Sequence, residues 1–420
     1  MPSSLLAQAS LLEEGASADP YELYQRLRAP ERPIRDAILG VQLVARHAQV
    51  VQLFESPDGR PAIGGTGVEP EHLDPNGQQR LTAIRAAMAR WLTYLPPDEH
   101  ARRRRALTPA LPALLGPPLR RRVAALADAL LDQITRSTPE GDIRFDAVGE
   151  LAQPLPVLVI GEILGMPESE RPRLVDWSRS ILTYFEIGNA DPAATVDSMF
   201  EALEEMADLV RGLIAARRER GVDEDGDFIA RLVAADELSD DEIVATAVQL
   251  LFAGHETTRN LLGNGLWTLL RHEGSIERLR RDPSLLRSTV EECLRYESPL
   301  QISSRTFDHG ASIDGMHFEP GETAILVLGA ANRDPQAFDN ADRFDLARGD
   351  RRHVAFGRGK HFCLGAALSR LEGEVFFERL LARFTDLTLD GPVEWRPSFA
   401  FRGLERLPLR ATPAAAGELE

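Results

Sequence analysis

The most informative segment of this chain spans residues 353–372 and reads HVAFGRGKHFCLGAALSRLE. Three glycines, at positions 357, 359 and 365, surround Cys363, and a helix-forming run follows directly. Because a helix N-terminus presents positive charge and free N–H groups, a lone thiol there is stabilised as the thiolate. With no second cysteine or histidine at zinc spacing, a single axial bond to haem iron fits Cys363 better than a tetrahedral site. The alternative is a buried structural cysteine beside a glycine turn.

The same segment does not match a phosphate-binding loop. Lys360 is followed by His361 instead of serine or threonine, and no glycine stands five residues before Gly359. The nucleotide-binding pattern requires both features.

A long helix is predicted from Ser239 to about His272. Ser239 can cap its start, and the acidic residues at 240–242 suit the positive end of the helix dipole. Such a helix is roughly 50 Å long at about 1.5 Å per residue. Its apolar middle is interrupted by Gly254, His255, Glu256, Thr257 and Thr258. A polar break at the centre of a buried helix indicates a functional site.

The pair His255-Glu256 invites comparison with the H-E-x-x-H zinc helix, but residue 259 is arginine, so the second ligand is missing. A capping glutamate and threonine in an ordinary helix is the simplest alternative for Glu256 and Thr257.

Composition places the chain among globular proteins. Its 420 residues are 43% hydrophobic and 27% charged, and 48 basic against 65 acidic residues give a net charge of −17. This acidity disfavours nucleic acid and anionic membranes as partners. No run of 18 apolar residues predicts a membrane span. The N-terminus has no basic leader, and the two cysteines are too few for a disulfide framework, so we expect a cytoplasmic protein.

The organisation of the chain favours one domain over residues 1–420, because no internal repeat or low-complexity linker divides it. Most segments between about residues 119 and 280 show apolar residues at helical spacing, which predicts that the middle of the chain is predominantly helical. Short strands are expected in ASIDGMHFEPGETAILVLG, with turns at Asp314-Gly315 and Pro320-Gly321, and another small sheet after Arg383. The predicted class is mainly α with minor β.

Residues 356–365, FGRGKHFCLG, resemble the haem-binding signature of the cytochrome P450 superfamily, bacterial soluble type. Further segments resemble other patterns of that family in the expected order: DPYELYQRLR near residue 19, PPDEHARRRRAL near 96, AGHETT at 253–258 and the E-x-x-R pair at 292–295. The resemblance implies the cytochrome P450 fold, with a long central helix over the haem and small β-sheets.

Glu292 and Arg295 lie three residues apart, on one face of a helix, where a carboxylate and a guanidinium can pair. Taken alone, this spacing is typical of a surface ion pair. The resemblance instead implies a buried structural triad, completed by Arg348 or, as second choice, Arg343. Cys293 is interpreted as a packing residue.

The resemblance also implies haem b as the cofactor. It implies that five side chains bind the haem propionates: His100, Arg104, Arg305, His361 and Arg358. In the cysteine loop, it implies that Cys363 is the iron ligand and that Phe356, Gly357 and Gly365 surround it. Within AGHETT, Gly254 leaves room above the iron, while Thr257 bonds oxygen or backbone and locally opens the helix. Glu256 then supplies protons.

The substrate pocket implied by the resemblance is mostly apolar. It comprises the loop at about 61–95, the region 177–187, and the residues Leu250, Ala253, Gly254, Leu300, Ile302 and Phe399. A lipophilic small molecule is therefore the expected substrate.

The implied reaction is that of a monooxygenase, which inserts one atom of O2 into a C–H or C=C bond. Only 57 residues follow Cys363, so electrons are expected from a ferredoxin and its NAD(P)H-dependent reductase. Arg102, Arg103, Arg105 and Lys360 are predicted to form a basic docking surface for an acidic ferredoxin, against the alternative of a solvated helix face. The rival functions are a peroxide-using haem enzyme and a non-catalytic haem-binding scaffold.

Overall fold

Helices dominate the structure. The computed structural model describes residues 9–13, 15–16, 18–62, 68, 70–111, 114–136, 141–186, 191–221 and 226–414. Most of these residues are helical and the strands are short, so the predicted mainly α class with minor β is confirmed.

The helices are numbered in chain order. They are α1 (Tyr21–Arg28), α2 (His47–Glu55), α3 (Pro75–Ala89), α4 (Pro97–Ala110), α5 (Pro117–Arg136), α6 (Pro154–Ile163), α7 (Arg173–Phe185), α8 (Pro192–Arg220), α9 (Phe228–Ala235), α10 (Asp240–Arg271), α11 (Ser275–Arg281), α12 (Leu286–Tyr296), α13 (Leu328–Ala331) and α14 (Ala366–Arg383). Short 3-10 turns include Gly359–His361, and Val148–Ala152 is a π-helical turn.

The strands form small sheets. They are β1 (Ile34–Arg35), β2 (Gln42–Val44), β3 (Ile143–Asp146), β4 (Ile302–Phe307), β5 (Ala311–Ile313), β6 (Met316–Phe318), β7 (Glu322–Val327), β8 (Phe384–Leu389), β9 (Glu394–Trp395), β10 (Leu404–Arg406) and β11 (Pro408–Pro413). The four-stranded sheet has the order β1-β2-β7-β4, in which only the β2–β7 pair is parallel. The other sheets are β3-β11-β8, β9-β10 and β5-β6.

Helix α10 matches its predicted bounds within one residue. The reason is local, because Ser239 and Glu242 form a capping box: the Ser239 N–H donates to Glu242 Oε2 at 3.0 Å, and the Glu242 N–H donates to Ser239 Oγ at 3.4 Å. The strands and turns predicted at 311–329, and the sheet after Arg383, are also confirmed.

Two expectations need correction. The expected loop at 61–95 contains α3, which begins where the Asp74 carboxylate caps the Gly77 N–H at 2.7 Å; positions 63–67 and 69 lie outside the described residues. The middle of the chain, about 119–280, is predominantly helical as predicted, but the strands were expected elsewhere, and it contains β3, which pairs with β11 near the end of the chain. A distant strand supplies that pairing, so local periodicity did not predict it.

The chain divides into two compact units. The first unit comprises residues 1–62, 122–155 and 257–420, and the second comprises 63–121 and 156–256. The first unit contains every sheet found among the described residues, and it has a core in which β2, β4 and β7 pack with α2. Helix α10 contributes residues up to 256 to the second unit and the rest to the first. Within the described ranges, no helix is long and apolar enough to cross a membrane.

Candidate active site

The cysteine loop lies in the first unit and connects to the N-terminus of α14. Gly357 and Gly359 have φ values of 69° and 68°, which glycine adopts without a steric penalty. The Cys363 N–H donates to the carbonyl oxygen of Phe356 at 3.0 Å, and α14 begins at Ala366. Cys363 is exposed, whereas Cys293 is buried, and the two are not bonded to each other. The loop therefore presents one accessible sulfur where the helix dipole favours negative charge.

Arg305 on β4 lies close to this loop through a shared neighbour, Phe54. Its guanidinium carbon is 4.8 Å from the Phe54 ring centroid. A Cβ atom at Gly357 would be 3.8 Å from the same ring, and one at Gly359 would be 3.2 Å from the Phe54 carbonyl oxygen. Phe54 thus contacts both the arginine and the loop.

The Arg305 guanidinium is a buried cation with a spare donor. Nη1 donates to the Ser304 carbonyl oxygen at 2.7 Å, but Nη2 is buried without a hydrogen-bond partner among the described residues. Burial lowers the pKa of Arg305 to about 10. A buried guanidinium is stabilised by a carboxylate, which it can bind through two hydrogen bonds. The donor set of this loop and Arg305 fits haem, which combines an iron atom with propionate groups.

The pair predicted from the E-x-x-R spacing is buried. Arg295 donates to both Glu292 oxygens, at 2.7 and 2.8 Å, and to the carbonyl oxygens of residues 332 and 341. Arg348 Nε lies 3.1 Å from Glu292 Oε1. Arg343 contributes only its carbonyl oxygen to these arginines. The structure thus brings together the residues of the expected triad, with Arg348 in the third position.

Cys293 packs inside the first unit. A Cβ at Gly265 would lie only 3.1 Å from its sulfur, and burial raises the pKa of the Cys293 thiol. The thiol is therefore protonated at neutral pH and fits the packing interpretation.

Helix α10 is α-helical through the AGHETT segment, so the expected local opening at Thr257 is absent. In the second unit, Gly254 lies close to α6, because a Cβ there would be 2.8 Å from Ile160 Cδ1. His255 is buried: Nδ1 lies 2.6 Å from the Leu251 carbonyl oxygen and Nε2 lies 2.7 Å from Ser178 Oγ. Glu256 is also buried, and Thr257 is half-buried at the start of the first unit's part of α10.

The remaining site candidates are distributed over both units. His100 and Arg104 lie one turn apart on α4 in the second unit, the first buried and the second half-buried. In the first unit, Arg358 donates to the carbonyl oxygen of residue 352 at 3.1 Å, and Phe356, His361 and Gly365 are half-buried in the loop.

The apolar pocket candidates fall into two groups. Leu300, Ile302 and Phe399 are half-buried in the first unit. There Leu300 forms an isolated antiparallel β-bridge with Phe401, and the Gln301 N–H donates to the Ala400 carbonyl oxygen at 2.8 Å. Leu250 and Ala253 lie three residues apart on α10 in the second unit, the first half-buried and the second exposed.

Known proteins identify the family. Residues 71–399 match the sequence profile of the family described as Cytochrome P450. The chain belongs to the cytochrome P450 family. Cytochrome P450 107B1 of Saccharopolyspora erythraea is 35% identical over 406 residues, covering 95% of this chain and 96% of that relative. The 6-deoxyerythronolide B hydroxylase of the same organism is 34% identical, covering 93% of this chain and 96% of the relative. A crystal structure of P450BioI with a hexadec-9Z-enoic acid ligated acyl carrier protein superposes with a TM-score of 0.83 at 30% identity, covering 94% and 99% of the two chains.

Family membership defines the activity. A cytochrome P450 carries a haem-thiolate cofactor and depends on redox partners for electrons, and this chain is accordingly a monooxygenase.

The basic docking surface expected for this P450 needs correction. Arg103 is only 2% exposed, donates to the Arg90 carbonyl oxygen at 2.6 Å, and pairs with Glu99 and Glu242 at 3.3 and 3.4 Å. Arg102 also pairs with Glu242. Only Arg105 and Lys360 of that set remain as exposed cations for which the structure gives no ion pair among the described residues. A run of arginines on a helix looks uniform in sequence, but one of its faces is buried.

Sequence reasoning also missed Glu291, the neighbour of Glu292 on α12. Glu291 is buried and binds the side chains of His353 and Arg370, which lie before and after Cys363 in the sequence. The Glu291-Glu292 doublet was visible, but its partners are 62 and 79 residues away.

Proposed function

We propose that this P450 binds haem b through Cys363 and inserts one oxygen atom of O2 into a lipophilic natural product, by hydroxylation or epoxidation. The observation that carries the proposal is that Phe54 contacts both the glycine-shaped loop with the accessible sulfur and Arg305, which has a buried spare donor. One anionic cofactor that also carries a metal satisfies both groups.

Cys363 would bind the haem iron, and Phe356, Gly357 and Gly365 would shape the loop around it. The propionates would be bound by arginine and histidine side chains, which are Arg305, His361 and Arg358 together with His100 and Arg104. When bound, haem supplies the activation of O2, and the thiolate promotes cleavage of the O–O bond.

Glu256 and Thr257 would deliver protons. A carboxyl group and a hydroxyl on adjacent residues of a largely buried helix can pass protons inward from solvent. Glu292, Arg295 and Arg348 would act by holding the fold, because all the hydrogen bonds of Glu292 are internal.

The substrate class rests on the apolar candidates and on the relatives. Leu250, Ala253, Leu300, Ile302 and Phe399 offer aliphatic and aromatic surface and no charge. The related proteins include a 6-deoxyerythronolide B hydroxylase and a polyketide biosynthesis cytochrome P450, PksS of Bacillus subtilis. A polyketide, terpenoid or steroid scaffold is therefore the proposed substrate.

Electrons would come from a ferredoxin and its NAD(P)H-dependent reductase, with Arg105 and Lys360 as exposed docking cations, each adjacent in sequence to a proposed haem-binding residue. We place the protein in the cytoplasm, where a reducing environment keeps the Cys363 thiol available for iron.

The test compares Cys363→Ser with Cys293→Ala as a matched control. The reduced carbon monoxide complex of the parent should show the red-shifted band of thiolate ligation, which Cys363→Ser should abolish and Cys293→Ala should retain. A persistent band in Cys363→Ser would contradict the ligand assignment. For the substrate, macrolides, terpenoids and steroids should shift the haem spectrum; a response only to small charged compounds would contradict the lipophilic class.

A further inference from the structure

Glu291 forms a second buried ion-pair network, separate from that of Glu292. Its side chain is 2% exposed. Arg370 binds it through two hydrogen bonds, Nε to Oε1 at 2.7 Å and Nη2 to Oε2 at 3.1 Å, while His353 Nε2 lies 2.9 Å from Oε2 and Arg351 Nε lies 3.0 Å from Oε1. Burial alone would raise the pKa of Glu291, but the hydrogen bonds from His353 and Arg370 lower it to about 2. The carboxylate is therefore ionised at any physiological pH.

The partners of Glu291 lie on both sides of Cys363 in the sequence. His353 begins the cysteine segment, and Arg370 belongs to α14, which follows it. One carboxylate on α12 thus joins the two ends of the segment that carries the sulfur.

Arg370 links this carboxylate to the cysteine itself. Its guanidinium carbon is 4.6 Å from the centre of the Phe356 ring, and the Phe356 carbonyl oxygen accepts the Cys363 N–H at 3.0 Å. Contacts therefore run without interruption from Glu291 through Arg370 and Phe356 to Cys363.

We propose that Glu291 and Arg370 are positioning residues for the thiolate ligand, which hold the cysteine loop so that the Cys363 sulfur stays at its bonding position. The proposal rests on the proposed role of Cys363. Gly357 and Gly359 make the loop conformationally permissive, so its conformation depends on contacts with residues outside the loop. A buried bidentate ion pair between an arginine and a carboxylate, such as Arg370 and Glu291, provides a contact of defined geometry.

The role differs from general stabilisation of the fold, and Glu297 provides the comparison. Glu297 follows the end of α12, is 2% exposed, and pairs with Arg402 at 2.6 Å and Arg333 at 3.1 Å. It matches Glu291 in burial and charge pairing, but those partners lie outside residues 353–370. Arg379 is the matching control for Arg370, because it lies on the same helix and binds both oxygens of Asp128 at 2.8 Å.

The experiment compares Glu291→Gln and Arg370→Lys with the controls Glu297→Gln and Arg379→Lys. In the holoenzyme, the measured quantity is the fraction of the reduced carbon monoxide complex that retains the thiolate-type band, followed against pH and temperature below the unfolding transition. In the haem-free protein, it is the hydrogen exchange of the backbone amides at 354–363. Arg370→Lys keeps the charge but loses the planar fork and its cover over Phe356.

We expect both test variants to lose a measurable fraction of the thiolate-type band at temperatures where the controls keep it. We also expect exchange at 354–363 to accelerate by about tenfold or more, the effect of losing one hydrogen bond to a charged group. Parent-like spectra and exchange in Arg370→Lys would overturn the proposal. So would an equal loss in the Glu297→Gln control, because the effect would then be general instability.

Three further outcomes are decided by the design. If Glu291→Gln does not fold, Arg370→Lys decides, because the Arg370 side chain is 20% exposed and lysine preserves its charge. If Cys363→Ser retains the thiolate-type band, the proposed function fails first and the positioning role fails with it. If Cys363→Ser abolishes the band while both test variants behave like the parent, only the positioning role is wrong.

Discussion

Glu372 on α14 is predicted to make this protein less stable as pH rises. This residue is 1% exposed, and neither carboxyl oxygen has a hydrogen-bond partner among the described residues. Desolvation by burial raises the pKa of Glu372 well above its ordinary value. The folded protein therefore holds this carboxyl in its neutral form over a pH range in which the unfolded chain ionises it.

The sign and the size follow from proton linkage. When the pKa of a group is higher in the folded state than in the unfolded state, its contribution to the free energy of unfolding is fully present below the unfolded pKa. That contribution is lost as pH rises through the folded pKa. Between the unfolded pKa of about 4.3 and the folded pKa, the parent should lose about 1.4 kcal/mol of unfolding free energy per pH unit relative to Glu372→Gln. Glutamine has nearly the same shape as glutamate but does not ionise. The difference therefore reports the effect of ionising the Glu372 carboxyl on the free energy of unfolding.

The assay is urea unfolding of the holoenzyme at half-unit steps from pH 5 to pH 8, for the parent, Glu372→Gln and the exposed control Glu319→Gln. The free-energy difference between the parent and Glu372→Gln should grow with pH and level off at the folded pKa, whereas the Glu319→Gln difference should stay flat. A pH-independent difference for Glu372→Gln would refute the reasoning. So would a parent that gains stability on that scale as pH rises, because that sign belongs to an ionised and paired carboxylate.

Three further predictions concern residues of the candidate site and the arginines of α4. Glu292→Ala should lower the unfolding free energy by about 3–5 kcal/mol and cause loss of haem, because it leaves buried arginines unpaired; urea unfolding and haem retention measure this. Thr257→Ala should uncouple turnover, so that reduced cofactor is still consumed while product falls, peroxide rises and the substrate dissociation constant changes little; unaltered coupling would assign proton delivery to another group. Arg103→Glu should destabilise the fold by a similar 3–5 kcal/mol or so, whereas Arg105→Glu with Lys360→Glu should slow reduction by a ferredoxin at low salt and leave substrate-induced spectral shifts intact; a parent reduction rate across a salt titration would contradict docking at these two cations.

Much of the fold was predictable because its determinants are local. The start of α10 is fixed by Ser239 and Glu242, three residues apart, so the sequence alone defined that boundary. The pair Glu292 and Arg295 was visible for the same reason. Arg103 was not, because one of its carboxylate partners, Glu242, is 139 residues away. A run of four arginines does not indicate which of them faces inward until that partner is located.

Glu372 shows where the sequence held information that a motif search does not use. Leu368 and Phe376 stand four residues before and after it, and both are buried. Residues at this spacing share one face of a helix, so Glu372 occupies the centre of an apolar stripe. Helical periodicity therefore predicts that this glutamate is buried, although it does not predict whether a cation lies opposite. Glu291 and Glu372 illustrate the two outcomes. Partners distant in sequence keep the first ionised, and the absence of such a partner among the described residues leaves burial alone to raise the pKa of the second. The direction in which stability changes with pH at each glutamate thus depends on contacts between segments far apart in the chain, which is why opposite pH dependences are expected from two glutamates on neighbouring helices.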